Sequence, residues 1–135
     1  MRVLLQAKYL LPNAYLIAGV ATDSQVRQCK GVSPIMTRQE RLASVAMLSF
    51  VDELLDDPPM LPTPEFCNGY KIDFVAHDAI PYISCLPPEE TYEWAKRAGM
   101  FLETKRTDSI STTNLIDRIV RRRDEIANCR PQKHQ

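Results

Sequence analysis

Residues 71–82, KIDFVAHDAIPY, restrict the choice of fold more than any other stretch of this chain. Ile72, Phe74, Val75 and Ala76 make a short apolar run of β-branched, aromatic and small side chains. Such a run suits a strand buried on both faces, because a strand with one wet face alternates apolar and polar residues instead. The run stops at His77-Asp78, and Pro81 stiffens the loop beyond. A titratable pair at the carboxyl end of a buried strand stands where open α/β sheets hold their ligands. A plainer account needs no ligand: His77 as a satisfied strand-end histidine and Asp78 as a helix cap or turn former.

The rest of the chain supplies the partners that such a strand needs. Residues 2–11 place Val3, Leu4, Ala7, Leu10 and Leu11 on one helical face, and Pro12-Asn13 stops the helix. Residues 14–20 read as a buried strand. Thr22-Asp23-Ser24 offers an N-cap for a helix to Cys29, closed by Gly31 in a left-handed conformation. Thr37 and Glu40 form a capping box, and the helix behind them turns Leu42, Val45, Ala46 and Phe50 inward. A short strand over 51–55 precedes the loop Asp56-Asp57-Pro58-Pro59. Thr63-Pro64-Glu65 then caps and opens another helix. Residues 89–98 read as a helix closed by Gly99, and 100–104 as the last strand. Ser111-Thr112-Thr113 starts a final helix with Leu115, Ile116, Ile119, Val120 and Ile126 on one side. Arg118, Arg121, Arg122 and Arg123 occupy the rest, a solvated face that suits the helix dipole rather than a nucleic-acid patch. Helices alternating with short apolar strands predict an α/β fold, one parallel sheet covered on both faces. No linker divides the chain, so 1–130 reads as one domain and 131–135 as a tail.

Charge and cysteine usage exclude several classes of function. Seventeen basic and seventeen acidic residues cancel, which removes any global attraction to nucleic acid or anionic membrane. Cys29, Cys67, Cys85 and Cys129 are widely spaced and form no CxxC pair, so they read as reduced thiols rather than a disulfide frame or zinc site. No apolar run approaches the roughly 18 residues that span a bilayer. No targeting segment is visible, so a soluble cytoplasmic or nuclear protein is expected.

The loops after the strands could meet an anion. Arg106-Thr107 lies just before the helix opened at Ser111, and a free helix N-terminus presents unpaired N–H groups and a positive dipole end. Arg106 can grip phosphate in a fork, and Lys30 is a second candidate cation. With His77-Asp78, three strand ends would converge on one ligand. The plain alternatives are a capping run at 111–113 and a solvated lysine at Lys30.

KGVSP, TPEF, YKIDFVAHDAIPY, KRAGMF and KRTDSISTTNLIDRIV, in this order and spacing, resemble the catalytic domain of the CTP:phosphocholine cytidylyltransferases. The likeness runs from about Leu5 to about Arg123. The ethanolamine-phosphate enzymes share much of the same pattern. The resemblance implies a Rossmann-like nucleotidyltransferase that joins CTP and phosphocholine to give CDP-choline and pyrophosphate, for phosphatidylcholine synthesis. A phosphate oxygen attacks the α-phosphate of CTP with no covalent enzyme intermediate. Catalysis is then positioning plus charge stabilisation, with Mg²⁺ bound through the nucleotide. The resemblance assigns His77, Asp78, Arg106, Thr107, Asp108, Ser109, Ile110 and Thr112 to CTP. It gives Lys30 and Arg106 the charge-neutralising catalytic role. Tyr82, with Met60 at a tryptophan position, would form a cage for the quaternary ammonium by cation–π attraction. A homodimer is a further implied partner.

Departures from the family pattern carry their own expectations. The family's His-x-Gly-His motif is not in this sequence, whose histidines are His77 and His134. Aligned on Gln6-Ala7-Lys8, Met1 falls directly after that motif, so the family's first, central strand and its phosphate loop are not among these residues. The expected results are an inactive isolated chain and unpaired strand edges on both sides of the central position. Ser109 replaces a glycine of the RTEGIST motif, Lys105 a glutamine and Ala79 an aspartate. Ser49-Phe50-Val51-Asp52 replaces an Arg-Tyr-Val-Asp segment linked to dimer formation. A non-catalytic homologue that pairs with an intact subunit is the alternative from another class. A phosphoethanolamine enzyme is the third reading.

Overall fold

The computed structural model describes residues 2–78, 92–105 and 112–128. The chain divides into two compact units, Met1–Lys105 and Arg106–Gln135. The first unit runs α1 (Arg2–Leu10), β1 (Ile17–Val20), α2 (Asp23–Lys30), α3 (Arg38–Ala46), β2 (Glu53–Asp56), α4 (Pro64–Gly69), β3 (Val75–Asp78), α5 (Glu93–Arg97) and β4 (Phe101–Thr104). The second holds α6 (Thr112–Arg121) and α7 (Arg123–Asn128).

Local chemistry accounts for the helix starts. Thr22 and Thr37 each accept an N–H three residues on, from Gln25 and Glu40, whose side chains reach back to the cap. Thr63 accepts the Phe66 N–H, with Pro64 at the first helical position, where a missing N–H costs nothing. Gly31 closes α2 at φ 73°, a conformation that strains any side chain with a Cβ. By contrast the N-cap of α5 is Tyr92, which is left-handed (φ 60°) and makes no side-chain cap. The expected start of that helix at Glu89 lies outside the described residues.

All described strands are parallel, but they form two pairs rather than one sheet. Ile17–Val20 runs beside Glu53–Asp56, and Val75–Asp78 beside Phe101–Thr104. Among the described residues no ladder joins β1 to β3. The strands are also shorter than the sequence suggests. Asn13 has a positive φ of 58° and Lys8 Nζ takes the Ala14 carbonyl, so 14–16 belong to a tight connection. Val51 N–H bonds the Leu48 oxygen, continuing the end of α3, so β2 starts later and reaches Asp56. Ile72 N–H bonds the Cys67 oxygen and Lys71 is left-handed, which closes α4. Ile72 and Phe74 therefore precede β3, and Phe74 is 42% exposed rather than buried on a face. His77 and Asp78 become the last two residues of the strand itself.

Side chains of α1 and α3 tie these elements together. Lys8 Nζ meets the Asp52 carboxylate at 2.5 Å, and that carboxylate also accepts the Leu16 N–H at 2.7 Å. On the other pair, Gln6 bonds Lys105 twice, its amide donating to the carbonyl at 2.9 Å and accepting the N–H at 2.8 Å. Arg38 pairs with Asp56, and Arg41 donates to the Ala21 carbonyl and to Asp23. Among the described residues the buried apolar ones are mostly small: Ala7, Ala18, Val20, Cys29, Cys67 and Ala95, with Tyr92 the one large ring. Ala46, expected to face inward, is exposed, and the whole of α6 and α7 is exposed, including Leu115, Ile119 and Val120.

Two further expectations meet the structure here. Cys29 is disulfide-bonded rather than a reduced thiol, whereas Cys67 is a buried free thiol whose pKa burial raises. No helix among the described residues is long and apolar enough to cross a membrane.

Candidate functional site

The carboxyl ends of β3 and β4 gather the titratable and polar groups. In the ladder His77 stands beside Glu103, and Asp78 beside Thr104. His77 is held by rings: its imidazole lies 5.0 Å from the Tyr92 ring, and Tyr92 lies 5.5 Å from Phe101. Lys96 Nζ sits 5.4 Å over the Phe101 ring, within cation–π range. His77 Nδ1 is 3.0 Å from the Asp78 carbonyl oxygen and 3.4 Å from its carboxylate. The shorter contact is the hydrogen bond; the longer one is an ion pair only for the imidazolium form.

Asp78 is 8% exposed and Thr104 2%. Among the described residues neither Asp78 Oδ1 nor Thr104 Oγ1 has a hydrogen-bond partner. Buried polar oxygens are nearly always paired, because leaving one unpaired forfeits its hydration with no return. A carboxylate can only accept, while a hydroxyl can donate and accept. The pair is therefore equipped to receive a group bearing an N–H or O–H.

A second feature lies at the carboxyl end of β1. Leu4, Gly19, Val20, Met36, Arg41 and Val45 line an open cavity of about 310 Å³, at the lower end of ligand-pocket sizes. Its lining is mainly apolar, and none of it comes from β3 or β4. Arg41 fixes the connection from β1 to α2 there, with its Nε lacking a partner among the described residues.

The residues expected to form one site are placed as follows. His77 and Asp78 are brought together at the end of β3. Lys30 is the last residue of the eight-residue α2, and Met60 lies in a bend before α4. Trp94 steadies that bend by donating its indole N–H to the Pro62 carbonyl at 3.1 Å. Thr112 is the first residue of α6. Tyr82, Arg106, Thr107, Asp108, Ser109 and Ile110 lie outside the described residues. Neither Thr104 nor Tyr92 stands out in the sequence as a site residue. For Thr104 the available signal was its place as the last residue of the expected final strand. Tyr92 had no such signal, because it meets His77 only across the folded chain, fifteen residues away in sequence. Among the described residues no three His, Cys, Asp or Glu side chains gather as a metal site.

Comparison with known proteins gives a consistent result. Residues 1–118 match the family model described as cytidylyltransferase-like. The chain is 46% identical over 126 residues to choline-phosphate cytidylyltransferase A of Rattus norvegicus, covering 93% of this chain and 34% of that protein. It is 43% identical over 125 residues to the probable choline-phosphate cytidylyltransferase of Schizosaccharomyces pombe, with 93% and 34% covered. Ethanolamine-phosphate cytidylyltransferase of Mus musculus is 36% identical over 106 residues, with 78% and 26% covered. The chain thus spans about a third of the length of these two choline-phosphate relatives.

Proposed function

The chain belongs to the cytidylyltransferase-like family, and on that premise we propose that it carries the CTP- and phosphocholine-recognising part of a choline-phosphate cytidylyltransferase. The observation that carries this reading is the 46% identity to the rat choline enzyme across 93% of the chain. The ethanolamine relative matches less of the chain at lower identity, which favours choline as the acceptor's head group. In this reading His77 and Asp78 meet CTP together with Arg106, Thr107, Asp108, Ser109, Ile110 and Thr112. Lys30 and Arg106 neutralise phosphate charge. Tyr82 and Met60 face the trimethylammonium group. Mg²⁺ arrives on the triphosphate as part of the substrate.

The reaction needs charge stabilisation on the transferring phosphate. The family's paired histidines would supply it, and this sequence has only His77 and His134. The chain is expected to bind CTP and phosphocholine. Isothermal titration of the chain with CTP–Mg²⁺, phosphocholine and phosphoethanolamine tests the reading. Saturable CTP binding, with phosphocholine bound more tightly than phosphoethanolamine, is the expected result. Absence of CTP binding overturns the nucleotide assignment, and a preference for phosphoethanolamine overturns the choice of acceptor.

A further inference from the structure

We propose that Thr104 is a further nucleotide-recognition residue. Its hydroxyl and the Asp78 carboxylate form one buried socket for an N–H or O–H donor of the nucleoside half of the nucleotide. The inference rests on the reading of this chain as CTP-binding and adds a residue which that reading does not use.

The argument begins with register. Asp78 and Thr104 are direct neighbours at the ends of two parallel strands. Neighbours at one ladder position rise on the same face of a sheet. Both side chains are more than nine-tenths buried, and both have an oxygen with no hydrogen-bond partner among the described residues, the Asp78 one having only the 3.4 Å approach of His77 Nδ1. One orphaned buried oxygen is an oddity. Two at a single ladder position, on the strand end that carries His77, make a cradle whose occupant is a ligand group.

The chemistry of the two oxygens narrows that occupant. A buried carboxylate accepts hydrogen bonds and repels anions, so the triphosphate does not sit here. The phosphates are left to the cationic groups, and the socket takes the uncharged end of the molecule. Two kinds of donor exist there, the exocyclic amine of the base and the hydroxyls of the sugar. Either would donate to Asp78 and pair with the Thr104 hydroxyl.

The test uses the full chain and the variants Thr104→Val, which keeps the side-chain shape without the hydroxyl, and Thr104→Ser, which keeps the hydroxyl. Because the hydroxyl has no partner among the described residues, Thr104→Val is expected to melt at or above the wild-type temperature in the absence of ligand. It is expected to weaken CTP binding about five-fold, the loss of one neutral hydrogen bond, and Thr104→Ser to restore it. Titration with UTP, 2′-deoxy-CTP and 3′-deoxy-CTP identifies the donor. The analogue that lacks the socketed group binds weakly and is indifferent to Thr104→Val.

CTP binding by Thr104→Val equal to wild type overturns the proposal. So does a lowered melting temperature in the unliganded variant, which would give the hydroxyl a structural role. So does equal sensitivity of all the analogues to the variant. If the wild-type chain binds no CTP, the underlying reading fails first and takes the socket with it.

Discussion

Gly19 shows how tightly one backbone position can be specified. A Cβ built there would lie 2.6 Å from Pro58 Cγ, closer than real Cβ contacts come. Pro58 is a ring and cannot swing aside as a flexible chain would. Gly19→Ala is therefore expected to destabilise the chain by about 1–3 kcal/mol through overpacking. Gly69→Ala makes the control, since nothing lies within 4 Å of its Cβ position and its φ is not in the left-handed range. That change is expected to stabilise the chain by roughly 0.5 kcal/mol or more, through reduced freedom of the unfolded chain. Urea unfolding of the two variants side by side checks both signs. Neither effect is legible in the sequence, because Gly19 and Pro58 meet only once β1 and β2 are paired. His77 and Asp78 were legible, since a polar pair at the end of an apolar run declares itself. Thr104 was not, because a threonine at a strand end looks ordinary until its burial and its lack of a partner are seen.

Elements were easier to read than their ends. Thr22, Thr37, Thr63 and Gly31 act locally, within a few residues, and the helices they bound stand where the sequence places them. Strand limits depend on long-range pairing, and there the reading drifted by several residues. Asp52 illustrates such a long-range term. It joins α1, β1 and β2 by accepting from the Leu16 N–H and from Lys8. The Leu16 N–H first, and Lys8 second, hold its pKa below the usual aspartate range. A carboxyl whose folded pKa is depressed stabilises the fold fully above its unfolded value of about 3.9. That contribution fades as pH falls through the lower folded value. Asp52→Asn keeps an oxygen for Leu16 but loses the charge. The variant is expected to melt below wild type near neutrality, with the gap closing as pH falls from about 5 toward about 2. Thermal melts across that range measure it; a gap that widens in acid would contradict the assignment.

On the scale of the molecule, the α/β class followed from alternation of helices and short apolar runs, and the family model agrees with it. The pairing did not follow, since nothing in the spacing says which strands are neighbours. Two parallel pairs, β1–β2 and β3–β4, are connected through α1, whose Gln6 reaches Lys105 and whose Lys8 reaches Asp52. Side-chain bonds at the surface are weaker ties than a continuous ladder. Amide hydrogen exchange is therefore expected to sort residues 17–20 with 53–56 into one protection group and 75–78 with 101–104 into another. Gln6→Ala should speed the second group more than the first, and uniform protection across all four strands would contradict this. The molecule then breathes by halves, each half keeping its own clock. A small molecule that grips both halves slows both clocks together, and one that touches a single half slows only that one, so exchange rates alone report how far across the protein a bound ligand extends.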